Sequence, residues 1–167
     1  MSLDIITKTK LTIKPISISY NKLSSNEIDS IVFIERQNSE NPWSKTQLLE
    51  SIQNPTNLCY SFSIDSQVLG FLIAMPAVDT ADILNISINA DYQRKGYGKR
   101  LLNLLIEDLK NREIRQIILE VRESNQIAIS FNLKQGFEKI SVRKNYYMIG
   151  SKHTHPKEDG IMMSLKF

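Results

Sequence analysis

The residues with the greatest capacity for chemistry form one run, Asp91-Tyr92-Gln93-Arg94-Lys95-Gly96-Tyr97-Gly98-Lys99-Arg100. Gly96 and Gly98 free the backbone to take positive φ and to approach a ligand closely, so successive N–H groups can converge on an anion. Leu101, Leu102, Leu105 and Leu109 then fall on one helical stripe, which sets those N–H groups at the positive end of a helix dipole. Arg94, Lys95, Lys99 and Arg100 crowd cations around the same point, where each opposes the macrodipole by about 0.3 kcal/mol or more. An anion with several acceptor oxygens resolves that conflict, and a pyrophosphate suits it better than a single carboxylate. The dinucleotide fingerprint G-x-G-x-x-G is not met, because its third glycine position holds Leu101, and a Walker loop is absent.

A second candidate lies in Ile117-Ile118-Leu119-Glu120-Val121. Strand alternation places Glu120 on the same face as Ile118, in surroundings that suggest burial. A carboxylate there is either the partner of Arg122 or another base, or a partly desolvated general base beside the ligand of the glycine run. The residues alone leave both readings open.

Other reactive side chains carry less. Cys59, the single cysteine, sits in a strand-like run without His or basic neighbours, as an inert buried thiol would. His153 and His155 stand one residue apart in a polar stretch without the spacing of a zinc site, so no metal is expected. Trp43 reads as a core or interface residue, Asn125 as a helix cap, and Tyr146 and Tyr147 as residues where a strand leaves the core.

These groups must be positioned by a fold, and 167 residues with 41% hydrophobic and 23% charged composition suit one globular domain. The net charge of +3 is too small, and too scattered outside the glycine run, for a nucleic-acid surface. No apolar stretch approaches the roughly 20 residues that span a bilayer. Met1-Ser2-Leu3-Asp4 lacks a basic-then-apolar leader pattern, so a cytoplasmic location is expected, with no membrane association.

Residues 1–10 read as a polar lead-in, followed by a domain over 11–167. A first strand is expected over Leu11–Ile16, then a helix capped by Asn26 with Ile28, Ile31, Val32 and Ile34 inward. Ser44 starts a second helix that stops before Pro55. Runs 58–65 and 67–74, joined at Asp65-Ser66, and 82–88 form an antiparallel meander. A helix over 97–112, a strand over 115–121, a helix over 126–135 and strands over 136–142 and 161–166 complete the order, with Gly150–Asp159 as a long loop. This is an α+β chain with a mixed, mostly antiparallel sheet of six to seven strands and about four helices. Strands 82–88 and 115–121 should run parallel through a crossover helix, and their adjacent ends should make a crevice.

These pieces in this order resemble the GNAT superfamily of N-acetyltransferases, whose signature Q/R-x-x-G-x-G/A matches Gln93-Arg94-Lys95-Gly96-Tyr97-Gly98. Pro42-Trp43-Ser44, Asn85-Ile86-Ser87-Ile88, Leu119-Glu120-Val121-Arg122, Ser124-Asn125, Gly136-Phe137 and Arg143-Lys144-Asn145-Tyr146-Tyr147 are similar to its ribosomal-protein-alanine branch, the RimI type. The tail Glu158-Asp159-Gly160-Ile161-Met162-Met163 extends that match. The resemblance implies that Arg94, Lys95, Gly96, Tyr97, Gly98 and Lys99 hold the pyrophosphate of acetyl-CoA, and that the backbone of Ile86, Ser87 and Ile88 pairs with its pantetheine arm. It further implies that Asn125 bonds the cofactor, that Glu120 is the base, and that Trp43, Tyr146 and Tyr147 face the acceptor. The family places a proton-donating tyrosine seven residues after its Asn. Here that place is Asn132, whose amide donates a hydrogen bond but yields no proton near neutral pH.

The activity so implied is direct acetyl transfer from acetyl-CoA to the N-terminal α-amine of a protein, an N-terminal alanine of a small-subunit ribosomal protein. A lysine or small-molecule amine as acceptor, or a weakly active acyl-CoA-binding module, remain the alternatives. The expected partner is a ribosomal protein N-terminus, met by a monomer without direct nucleic-acid contact.

Overall fold

The computed structural model describes residues 17–148 and 157–167. Its frame is a seven-stranded sheet in the order β1-β2-β3-β4-β5-β7-β6, formed by β1 (Ile18–Lys22), β2 (Leu58–Ile64), β3 (Gln67–Pro76), β4 (Ala81–Ile88), β5 (Gln116–Arg122), β6 (Glu138–Met148) and β7 (Lys157–Lys166). Helices α1 (Ile28–Asn38) and α2 (Lys45–Gln53) cover one face, and α3 (Tyr97–Asn111) and α4 (Gln126–Lys134) the other.

The expected α+β architecture is present, including the meander and the parallel pair. Asp65 and Ser66 both take positive φ, as a two-residue hairpin turn between β2 and β3 requires. Leu101, Leu102, Leu105 and Leu109 of α3 are buried against the sheet, each burial contributing about 2 kcal/mol. Ile31 and Ile34 of α1 and Leu48 of α2 do the same on the opposite face, against Phe71 and Ile73 of β3. Val32 is only partly buried at the edge of that cluster.

Several elements differ from the sequence reading. The lead-in over 1–10 and the strand over Leu11–Ile16 lie outside the described residues, and the first described strand is Ile18–Lys22, paired antiparallel with β2. The cap before α1 is Ser24, not Asn26. Its Oγ accepts from the Asn26 amide at 3.2 Å, while Glu27 Oε2 accepts from the Ser24 amide at 2.7 Å, a capping box that starts a 3-10 turn. Ser44 caps α2 by the same device with Gln47.

The largest difference is the last hairpin. β6 runs on to Met148 and β7 already begins at Lys157, so Lys157–Asp159 belong to a strand and not to a loop. The sequence hid this because the ladder carries a bulge, with Arg143 opposite Gly160 but Tyr147 opposite Glu158. Asp159 grips the bulge, accepting from Lys144 Nζ at 2.6 Å and from the Asn145 amide at 2.9 Å, with Asn145 at φ 52.

Candidate active site

β4 and β5 pair in parallel over three residue pairs only, Ala81 with Ile117, Asp82 with Ile118 and Ile83 with Leu119. Beyond them the strands diverge. β4 from Asn85 to Ile88 keeps its ladder to β3 and β5 keeps its ladder to β7, which leaves a slot between two unpaired edges. The glycine run lies on one side of this slot and Glu120 on the other.

On the first side, the chain leaves β4 through a 3-10 turn over Ala90–Tyr92 that is capped by Asn89, whose Oδ1 accepts from the Asp91 amide at 3.0 Å. Gln93 is turned inward and donates to Asn38 Oδ1 at 2.7 Å and to the Ile88 carbonyl at 3.0 Å, which ties the run to α1. Arg94 at φ 59 and Gly96 at φ 87 reverse the backbone into α3. Gly96 has open space around a Cβ, so its left-handed conformation, not crowding, calls for glycine there.

The first helical bond runs from the Arg100 amide to the Gly96 carbonyl at 3.1 Å, so the amides of Tyr97, Gly98 and Lys99 have no helical acceptor. Arg94, Lys95 and Lys99 are exposed around them. The Lys95 ammonium rests on the Asp91 carbonyl at 2.9 Å and over the Tyr92 ring. The Tyr97 ring stacks on Phe62 at 4.0 Å, so this residue offers the site only its backbone. Phe131, a residue without a role in the sequence reading, sets its ring against Gly98, where an added Cβ would lie 3.4 Å from Cζ. Free amides, exposed cations and a close backbone fit a pyrophosphate.

On the second side, Glu120, Trp43, Tyr146 and Tyr147 line one cavity of about 390 Å³ with Asp82, Leu84, Ile118, Arg143 and Met162. The four site candidates named from sequence on this side are therefore brought together from β5, the α1–α2 loop and β6. The Glu120 side chain is 17% exposed. Its Oε1 accepts from the Tyr147 hydroxyl at 2.5 Å. Its Oε2 lies 3.0 Å from Arg143 Nη1, close enough for an ion pair but not aligned as a hydrogen bond, so this buried oxygen has no donor among the described residues.

Burial first, and then the hydrogen bond to Glu120, push the Tyr147 phenol above its ordinary range. Arg122 is not the partner of Glu120. It pairs with Glu158 at 2.7 Å and lies over the Tyr147 ring. Gly160 forms the floor, where a Cβ would stand 3.3 Å from Glu120 Cδ and 3.3 Å from Tyr147 Cε2.

A third group joins the two sides. Glu35 of α1, only 4% exposed, accepts from the Trp43 amide at 3.1 Å, from Asn85 Nδ2 at 2.9 Å and from Ser87 Oγ at 3.4 Å. The Ser87 hydroxyl is thus used inside the fold. Glu35 was missed from sequence, although an acid beside the apolar stripe Ile28, Ile31 and Ile34 was the available signal.

Asn125 caps α4, its Oδ1 accepting from the Ala128 amide at 3.0 Å. Asn132 does not join the cavity. It is buried on the opposite face of the sheet, with Nδ2 3.8 Å from Met163 Sδ. Burial raises the Cys59 thiol to about 11, which fits the inert reading. His153 and His155 lie outside the described residues. Among the described residues no cluster of His, Cys, Asp or Glu could hold a metal, and no helix is long and apolar enough to cross a membrane.

A slot at the mouth of a parallel strand pair, with an anion cradle on one side and a buried carboxylate on the other, is the arrangement of an acyltransferase acting on an amine. Residues 27–137 match the Acetyltransferase (GNAT) family, and the chain belongs to it as an N-acetyltransferase. Among its relatives is the [ribosomal protein bS18]-alanine N-acetyltransferase of Escherichia coli K12, 32% identical over 145 residues that cover 87% of this chain and 95% of the relative. A putative enzyme of the same description from Bacillus subtilis is 30% identical over 138 residues, 82% of this chain and 87% of the relative. The crystal structure of the ribosomal-protein-S18-alanine N-acetyltransferase from E. coli superposes with a TM-score of 0.80 at 31% identity, covering 90% of this chain and 94% of that one. The PaiA N-acetyltransferase of Thermoplasma acidophilum, solved in complex with coenzyme A, shares the fold at a TM-score of 0.72 and 23% identity, over 90% of this chain and 99% of that one.

Proposed function

We propose that this enzyme acetylates the N-terminal α-amine of a protein, an N-terminal alanine of a small-subunit ribosomal protein, with acetyl-CoA as donor. The observation that carries this reading is Glu120, which lines the cavity with Trp43, Tyr146 and Tyr147 and whose buried Oε2 has no hydrogen-bond donor among the described residues. The E. coli and B. subtilis relatives, named for acetylation of an alanine in bS18, supply the acceptor class.

Acetyl-CoA, when bound, supplies an acetyl group activated as a thioester, whose thiol has an ordinary pKa of about 8.5 and is a tolerable leaving group. The amides of Tyr97, Gly98 and Lys99 with the cations of Arg94, Lys95 and Lys99 hold its pyrophosphate at the start of α3. The unpaired edge of β4 at Ile86, Ser87 and Ile88 takes the pantetheine arm and presents N–H groups to the reacting carbonyl. Asn125, whose Nδ2 is left over from capping, donates to the cofactor.

Glu120 takes the proton of the attacking amine. An α-ammonium has an ordinary pKa near 8, so a carboxylate acting directly or through one water suffices. Arg143, half exposed at 51%, yields its place beside Oε2 to the amine, while Tyr147 keeps Oε1 fixed. The Asn132 amide is turned into the core, so α4 brings no acid to the leaving group. Trp43 and Tyr146 wall the groove along which the acceptor chain lies.

The test is transfer from acetyl-CoA to peptides with a free N-terminal alanine, beside Nα-blocked lysine peptides and polyamines, with the modified nitrogen located by mass spectrometry. Acetyl on the α-amine is expected. Transfer confined to lysine Nζ or to polyamines would refute the reading.

A further inference from the structure

The acceptor cavity contains one charge that the chemistry above does not use. Asp82 lines it from β4, partly buried, and no described side chain hydrogen-bonds or ion-pairs with it. The one cation in the lining, Arg143, lies 3.0 Å from Glu120 Oε2 and makes no ion pair with Asp82. The register fixes where Asp82 stands. It pairs with Ile118, so it shares a sheet face with Glu120 two residues further along β5, roughly 7 Å away along the strand direction.

The direction of that offset matters. β4 runs from Asp82 toward Ile88 and the glycine run, so Asp82 is on the side of Glu120 that points away from the cofactor slot. Asp82 and Glu120 line the same cavity, so an acceptor whose amine reaches Glu120 brings its next residues within reach of Asp82. At about 3.3 Å per extended residue, its second and third residues pass Asp82.

Resting on the N-terminal reading above, we propose that Asp82 is a specificity residue that selects acceptors with arginine or lysine at the second or third position. Ile83, Leu84, Ile118 and Met162 wall the same space and suit the methylene stem of such a side chain, while the carboxylate takes its head. An acidic side chain at the same place meets a like charge in a partly desolvated cavity, and that repulsion sharpens the choice.

The experiment measures kcat/KM on N-terminal alanine peptides carrying Arg, Ala or Glu at positions two and three, for the wild type, Asp82→Asn and Asp82→Lys. Arg peptides should exceed Glu peptides by about tenfold or more in the wild type. Asp82→Asn should bring that ratio close to one, and Asp82→Lys should invert it. Because the readout is a ratio within one enzyme, a general loss of activity in a variant does not imitate the effect. Equal rates on Arg and Glu peptides in the wild type, or a preference that survives Asp82→Asn, overturn the role of Asp82 while leaving N-terminal acetylation standing. Transfer to no peptide α-amine at all overturns both.

Discussion

The two sides of the β4–β5 slot are built by different means. The cradle uses ten consecutive residues and works through backbone amides with exposed cations around them, while Gln93 and Tyr97 are turned aside onto Asn38 and Phe62. The acceptor cavity uses side chains from the α1–α2 loop, β4, β5, β6 and β7, among which Glu120, Tyr147 and Arg143 hold one another. A site made of backbone tolerates many sequences and keeps one ligand. A site made of side chains is exact in geometry and free to change its acceptor.

That contrast is open to attack from its strongest point downward. Glu120→Gln should lower kcat by about 10²- to 10⁴-fold and leave the affinity for acetyl-CoA nearly unchanged by calorimetry. A parallel loss of cofactor binding would erase the separation between the sides. Gly160→Ala drives a Cβ against Glu120 and Tyr147, and steady-state kinetics should show kcat/KM for the acceptor reduced about tenfold, with the cofactor KM held. Tyr147→Phe removes one hydrogen bond from the carboxylate and should lower kcat by about tenfold, the low end of what one such bond to a charged group contributes.

A pH titration probes the hairpin that carries the tyrosines. Burial alone would raise the Glu158 carboxyl, but hydrogen bonds from Ser124 and Arg122 outweigh it and hold the group below its ordinary range. Lys144 and the Asn145 amide do the same for Asp159. Depressed carboxyls stabilise the fold above the ordinary range near 4, and that stabilisation is lost as the pH falls through their lowered values. Glu158→Gln should therefore flatten the acid limb of the melting temperature against pH. The smallest catalytic effect belongs to Asn132→Ala, for which kcat should stay within about twofold while calorimetry shows a lower melting temperature, since a buried side chain is lost with no tie to the cavity.

Legibility in the sequence follows the same division. The cradle, its strand and its helix were readable because local spacing dictates them, and so was the order of elements from Ser44 to Gln135. Glu120 stood out as an acid in an apolar strand, yet its partner Arg143 lies 23 residues away and is aimed by a bulge that period-two alternation cannot register. Gly160 looked like the edge of a loop because its meaning is the proximity of Glu120 and Tyr147, which only the sheet creates. The cap at Ser24 was misplaced by two residues, a choice that the reciprocal Glu27 would have settled.

The brevity of the β4–β5 ladder reaches beyond the site itself. With three residue pairs between them, the leaves β1–β4 and β5–β7 are joined along one short seam. A molecule lodged in the open part of the seam acts as a stitch. Its binding should slow amide exchange in Leu84–Ile88 and Glu120–Arg122 together, and the gain in melting temperature should grow with its concentration, which makes the donor a structural member of the enzyme as well as its reagent.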